Sequence, residues 1–290
     1  MALAKHLRAI TQRTWSDLCY TAPGRALALR GLPNAVRAGY ADPTAPGVTD
    51  GVLRALTAAG VTVREHFVDP EAYARYVSAA EYPPGLYQGN FVEKTLEHHL
   101  AFELLGLRPG ETYIDVANAA SPIPEVAERL YGVRAWRQDL SYPPGMRGRV
   151  LGGDAAAMPV PDGFAHALSL HCSFEHFEGD ADARFITEAR RVLAPGGRLC
   201  IVPLYLHGEY SVLTDPSSWG LQRPAFEPDA TLCLARGYRN RHGRLYDVPH
   251  FLRRVTARLQ GLSLTVYRVR DAEALDPRCY VRFAALLTRP

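Results

Sequence analysis

The stretch that decides the fold is Leu151–Pro203, LGGDAAAMPVPDGFAHALSLHCSFEHFEGDADARFITEARRVLAPGGRLCIVP. Two apolar runs in it, Ala165–Leu170 and Leu199–Leu204, flank a segment of different period. There Phe185, Ile186, Ala189 and Val192-Leu193 recur at helical spacing, so Ala183–Leu193 reads as a helix with one apolar face. Asp182 is placed to cap its first turn. Pro195 cannot continue it, and Gly196 takes the left-handed conformation at little cost. A shorter apolar run, Val150–Gly153, precedes all this and ends at Asp154. Strand, loop, strand, helix, turn, strand at this spacing predicts a parallel sheet with helices on its faces.

The same alternation extends outward. Phe91–Leu105 is a helix by its apolar period, Thr112–Val116 a strand, Pro124–Leu130 a helix and Val133–Leu140 a strand ending near Asp139. After the quoted stretch come a helix at Val248–Leu259 and strands at Leu262–Val269 and Tyr280–Thr288. The predicted fold is α/β: a doubly wound, mostly parallel seven-stranded sheet with helices on both faces. An amino-terminal helical and mixed extension precedes it. The expected domains are residues 1–90, a cap or an oligomerisation surface for a homodimer, and residues 91–290, with an insertion at 205–250. Within the extension Ala2–Leu18 reads as an amphipathic helix, Val48–Ala59 as a helix and Val61–Val68 as a strand. Asp69-Pro70 then starts the helix Glu71–Ala79. Tyr73, Tyr76, Tyr82, Tyr87 and Phe91 cluster there, either lining a substrate mouth or packing the extension onto the domain.

Composition narrows the function classes. The net charge is +3, too small to argue for a nucleic-acid partner, and Lys5 and Lys94 are the only lysines. Arginine in place of lysine, with abundant Ala and Gly, reads as bacterial coding bias. No apolar run is long enough to span a bilayer, so no membrane is expected. Five scattered cysteines without a CxxC motif fit reduced thiols in a cytoplasmic protein. His98-His99 is a pair without a spaced partner, and no metal is expected.

The run Arg191–Leu199 (RVLAPGGRL), the Gly153-Asp154 block and the Glu175-His176 pair resemble, in order and position, the class I (Rossmann-like) S-adenosylmethionine (SAM)-dependent methyltransferases. The resemblance covers roughly residues 90–205 and, more loosely, 246–290. It implies SAM as cofactor and an in-line methyl transfer to a small-molecule acceptor: a sugar, a saccharide precursor or a secondary metabolite. It implies that Asp115 sits near the methionyl amino group, Asp139 accepts from the ribose diol, and Asp154 and Ala155 meet the adenine. The family's Gly-x-Gly-x-Gly loop falls on Ala117-Asn118-Ala119-Ala120-Ser121, where Ala117, Ala119 and Ser121 replace the glycines. Alanine still permits close approach of a cofactor but disfavours a positive φ. The loop is therefore reshaped, weaker for SAM, or dead, and the last option makes the chain a non-catalytic binding or partner protein. His171 ends the fourth strand near the donor methyl and is the first candidate general base, with His207 and His176 behind it. The insertion carries an arginine run, Arg236–Arg244, which either binds an acidic group on the acceptor or forms a solvated loop face.

Overall fold

A computed structural model describes residues 17–290 apart from Pro46 and Leu221. The helix expected at Ala2–Leu18 lies outside the described residues but for its last two. The elements are α1 (Ala22–Ala28), β1 (Val36–Ala38), α2 (Val48–Ala58), β2 (Val63–Phe67), α3 (Pro70–Ala80), α4 (Phe91–Leu105), β3 (Thr112–Val116), α5 (Ile123–Tyr131), β4 (Arg134–Asp139), β5 (Gly145–Arg147), β6 (Val150–Gly152), β7 (Ala165–His171), α6 (Ala181–Val192), β8 (Leu193–Val202), β9 (Ser211–Thr214), β10 (Thr231–Leu234), β11 (Gly243–Leu245), α7 (Val248–Arg254), β12 (Ser263–Arg270) and β13 (Phe283–Thr288).

The main sheet has the order β2-β12-β13-β8-β7-β3-β4-β6-β5. It holds nine strands rather than the expected seven. All seven expected strands are present. The extension's strand β2 is added at one edge, parallel to β12, and β5 at the other, antiparallel to β6. Pairing of β2 with β12 joins residues some two hundred positions apart, which no local pattern announces. The central strands β3, β4, β6, β7 and β8 run parallel, and β13 is antiparallel to β8.

Period-two alternation sorts the core into two layers. Ile114, Val116, Leu168, Leu170, Leu199 and Ile201 face α6, packing with Phe185, Ile186 and Ala189. Tyr113, Ala167, Cys200 and Val202 face the other way, onto Leu100 and Phe102 of α4. The α6 apolar face is therefore the expected one. Its start is not: Asp180 stands at the cap and bonds Arg184, whereas Asp182 is fully buried inside the helix. The expected helix at 248–259 ends at Arg254, with a 3-10 turn at Thr256–Arg258. Gly196 has the left-handed φ foreseen for it, but within β8, where it and Gly197 exchange backbone bonds with Arg289.

The insertion, irregular by its sequence, forms a second sheet in the order β1-β10-β9-β11, with β1 supplied by the extension. Apolar packing and charge both join this sheet to the main domain: Val212, Leu232 and Leu234 share one core with Phe174 and Phe185, and a buried ionic cluster stands beside it. Arg244 of β11 is fully buried. Its guanidinium meets Asp182 at 3.0 Å and also bonds Glu227. Arg254 bonds Asp182 at 2.6 Å, and the Tyr246 hydroxyl donates to Asp182 at 2.6 Å. Burial opposes ionisation of Glu227, but His242 and Arg244 outweigh it and hold the carboxyl down at about 2.

Removing one partner of a buried ion pair leaves the others unpaired, so Arg244→Ala should cost about 3–5 kcal/mol by urea denaturation. The stabilisation from Glu227 is present above its unfolded value of roughly 4.3 and is lost as pH falls towards the folded value. The pH-dependent loss of stability over that acid window should therefore be smaller in Arg244→Ala than in the wild type.

Candidate active site

The strand order reverses between β3 and β7, and in open α/β sheets ligands sit outside the carboxyl ends of the strands at such a point. The loop leaving β3 does what its composition argues against. Ala117, Ala119 and Ala120 all have left-handed φ, at 54°, 48° and 62°. The conformation disfavours an L-residue by roughly 1–2 kcal/mol each, so something must hold it. Ala119 N–H donates to Asp139 Oδ2 at 2.8 Å, and Ala117 N–H to Gln138 Oε1 at 3.2 Å. Asn118 is the hub. Its Nδ2 donates to Asp115 Oδ2 at 2.6 Å and to the Ser121 carbonyl at 3.1 Å, and its Oδ1 accepts from the Tyr142 hydroxyl at 2.8 Å. The glycine-like path thus survives without the glycines, because side chains of β3, β4 and the following turn over-determine it.

This loop borders a cavity of about 290 Å³ lined also by Tyr87, Lys94, Glu97, His98, Asp115, His171 and Cys172. Asp115 is fully buried, and burial lifts its carboxyl to about 7, with the Asn118 bond pulling the other way. Burial first, and the Lys94 charge second, push His171 down to about 3, so its ring is neutral. His171 Nε2 lies 2.9 Å from Ser169 Oγ and 3.8 Å from Asp115 Oδ1. Two buried atoms on this wall have no hydrogen-bond partner among the described residues: His171 Nδ1 and Glu97 Oε2. Two buried carboxyl groups with unspent capacity fit a ligand carrying an ammonium and a sulfonium, as the resemblance implies.

The other expected cofactor residues are dispersed. Asp139 grips the loop from behind and also accepts from Ser141 N–H and Oγ, at 2.8 and 2.6 Å. Asp154 pairs with Arg184 at 3.1 Å, and Ala155 is buried in the core. None of these three lines the cavity.

A larger cavity of about 590 Å³ lies beyond, lined by Tyr40, Glu175, His176, Tyr205, Tyr238 and Tyr280 among others. Lys94 and Cys172 line both cavities. Lys94 Nζ donates to Glu97 Oε1 at 3.0 Å and to the Tyr280 hydroxyl at 2.8 Å; Cys172 Sγ lies 3.2 Å from the Tyr205 hydroxyl. Burial is the largest single influence on the Lys94 ammonium and works against it, but Glu97, Cys172 and Tyr280 together outweigh it and raise its pKa, while burial lifts the Glu97 carboxyl to about 8. Tyr238 reaches the wall because residue 243 is glycine: a Cβ there would stand 1.9 Å from the Tyr238 hydroxyl oxygen.

Of the three candidate bases, His176 is on this wall, His171 is on the smaller cavity, and His207 is on neither, its Nδ1 accepting from Glu209 N–H at 3.1 Å. Three of the run's four arginines are spent internally, Arg236 on Asp17, Arg241 on Glu178 and Arg244 on Asp182 and Glu227, while Arg239 is exposed. The aromatic cluster divides between its two readings. Tyr73 and Tyr76 are buried, Tyr76 stacking on His99 at 4.8 Å, while Tyr87 lines the smaller cavity. Sequence reading passed over Tyr40, Lys94, Glu97, Asn118, Glu175, Tyr238 and Tyr280 as site residues. The only signal for Lys94 was its rarity.

Residues 96–201 match the family model described as a methyltransferase domain. The demethylmenaquinone methyltransferase of Thermus thermophilus is 34% identical over 103 residues, 36% of this chain and 41% of that protein. The chain thus matches less than half the length of that relative. Among solved structures, the 1,6-didemethyltoxoflavin-N1-methyltransferase of Burkholderia thailandensis, with 1,6-didemethyltoxoflavin and S-adenosylhomocysteine bound, has a TM-score of 0.47 at 16% identity, covering 79% of this chain and 93% of that one. The YcgJ protein of Bacillus subtilis has a TM-score of 0.41 at 12% identity, covering 67% and 99%. Likenesses this loose carry no argument about the site.

The strained loop makes a direct prediction. Changing Ala117, Ala119 and Ala120 together to Gly should raise stability by about 1–2 kcal/mol, because relief of the left-handed cost exceeds the added entropy of the unfolded chain. Urea denaturation measures it; a lower midpoint would show that the side-chain bonds, not the backbone, set the loop's energy.

Proposed function

We propose that this chain, whose residues 96–201 match a methyltransferase-domain model, is a class I SAM-dependent methyltransferase that methylates a small-molecule acceptor held in the larger cavity. One observation carries the reading: a donor-sized cavity at the strand-order switch meets a second, larger cavity across Lys94 and Cys172. SAM, when bound, supplies an electrophilic methyl group on a sulfonium sulfur. Asp115 and Glu97 give that positive ligand buried carboxyl groups, and the β3 loop fixes the floor beneath it. The larger cavity's volume is that of an ordinary small-molecule site. A sugar, a saccharide precursor or a secondary metabolite is of suitable size.

The extension acts as a cap over the acceptor. Tyr40, Asp42 and Thr44 belong to that cavity's wall, and β1 is stitched to β10 of the insertion. The chain's own contribution to rate is positional: it sets two reactants in adjoining pockets and excludes water from their junction. His176 and Glu175 are the titratable groups facing the acceptor with free capacity. His171, neutral and on the donor side, serves to shape the donor pocket rather than to take the acceptor's proton. No helix among the described residues is long and apolar enough to cross a membrane.

Calorimetric titration of the full chain with SAM and with S-adenosylhomocysteine should give micromolar dissociation constants; no binding at millimolar ligand would favour the non-catalytic reading. Asp139→Ala should weaken binding by about tenfold, the value of one or two hydrogen bonds lost through the loosened loop and the ribose. Asp115 is protonated below about 7 in the free protein and must shed that proton to hold an ammonium. Affinity for S-adenosylhomocysteine should accordingly rise as pH is raised through that value. In Asp115→Asn the step contributed by this group should disappear; an unaltered pH profile would remove Asp115 from the assignment.

A further inference from the structure

Glu175 lines the acceptor cavity and is 5% exposed. No Lys or Arg among the described residues forms a salt bridge with it, and its Oε2 has no hydrogen-bond partner there. The cations of that wall are already engaged. Lys94 is held by Glu97 and Tyr280, and Arg244 by Asp182 and Glu227. Asp42 is held by Thr44, whose N–H and hydroxyl both donate to its Oδ1. A buried carboxyl group with no lysine or arginine partner suits a ligand that brings positive charge or hydrogen-bond donors of its own.

The neighbouring histidine sharpens this. His176 Nδ1 lies 2.5 Å from the backbone carbonyl oxygen of His242. A carbonyl only accepts, so Nδ1 carries the hydrogen, and in the corresponding neutral tautomer Nε2 is an acceptor. That Nε2 is 3.5 Å from Glu175 Oε1. Two acceptors therefore stand side by side with no donor between them. A hydroxyl brings one hydrogen and satisfies one of them; an amine or ammonium nitrogen brings two or three and satisfies both. The surroundings suit a cation as well. The Tyr238 ring lies 6.5 Å from the His176 ring and 6.3 Å from the Tyr40 ring, giving aromatic faces and phenol oxygens around the same spot.

We propose that Glu175 and His176 form an amine-binding site, and that the acceptor is a primary or secondary amine methylated on nitrogen. The inference rests on the methyltransferase reading above and names its acceptor class. The bound ammonium gives one proton to the Glu175 carboxylate. The freed lone pair then forms the new N–C bond, while the C–S bond of the donor breaks with its electron pair remaining on sulfur, and the proton on Glu175 leaves to solvent.

The test titrates the full chain calorimetrically with 2-phenylethylamine, tyramine and 1,4-diaminobutane. Each is set against its hydroxy counterpart, 2-phenylethanol, 4-(2-hydroxyethyl)phenol or 1,4-butanediol, with and without S-adenosylhomocysteine. Expected is a preference of about tenfold or more for at least one amine over its alcohol, lost in Glu175→Gln while S-adenosylhomocysteine affinity stays the same. His176→Phe should reduce the same preference, and it serves as the comparison should Glu175→Gln not fold. Equal binding of alcohols and amines, no amine binding, or a preference that survives both substitutions overturns the proposal. Failure of S-adenosylhomocysteine to bind is a separate outcome and overturns the methyltransferase reading with it.

Discussion

The acceptor side of this molecule depends on one buried ionic knot. Arg244, with no exposed surface, sits between Asp182 and Glu227, and Arg254 and Tyr246 complete the set around Asp182. It joins β11 of the second sheet to α6 of the main domain. Buried ion pairs are seldom the cheapest way to gain stability, and an apolar substitute of the same volume is often as good. What this one supplies is register. Asp182 lies on a helix, Arg244 on an edge strand and Glu227 on the connection before β10, so the charges are satisfied only when all three elements are docked. Tyr238 and Gly243, which shape the cavity wall, are carried on the same segment.

The donor side rests on a different device. A loop that in this fold is usually freed by glycine is here forced by hydrogen bonds, with Asn118, Gln138 and Asp139 holding three left-handed alanines. The strain is stored where ligand and backbone approach most closely, a common placement for strained residues. Asp139 is thereby committed to the loop before any ligand arrives. A carboxylate has about four acceptor sites, so this grip does not exclude a ribose.

Between the two cavities stands a polar partition: Lys94, Glu97, Cys172, Tyr205 and Tyr280. Its members come from α4, the end of β7, the exit of β8 and the turn before β13. Lys94 is held within the partition by Glu97 and Tyr280, and a buried carboxyl group stands on either side of it, Asp115 and Glu175.

Sequence by itself determined the parallel core. Each central strand and helix is a contiguous segment whose own period reports which side is buried, and Pro and Gly mark its ends. The Arg191–Leu199 turn and the blocks around it are also local strings, and they carry the resemblance to methyltransferases in the stretch where residues 96–201 match a methyltransferase-domain model. Sequence did not determine where the insertion goes, because β9, β10 and β11 are short, and what docks them, β1 against β10 and Asp182 of α6 against Arg244, lies far along the chain. Asp182 illustrates the limit: an Asp two residues from a helix start has the local signature of a cap, and only the arrival of Arg244 from sixty-odd positions downstream makes it a buried counter-ion. The alanines are the converse case. Composition argued against the left-handed path, and tertiary hydrogen bonds imposed it. Tertiary structure alone decided the acceptor site, because Tyr40, Glu175 and Tyr238 share a wall only once three separate segments are docked, and burial without a cation is what gives Glu175 its chemical meaning.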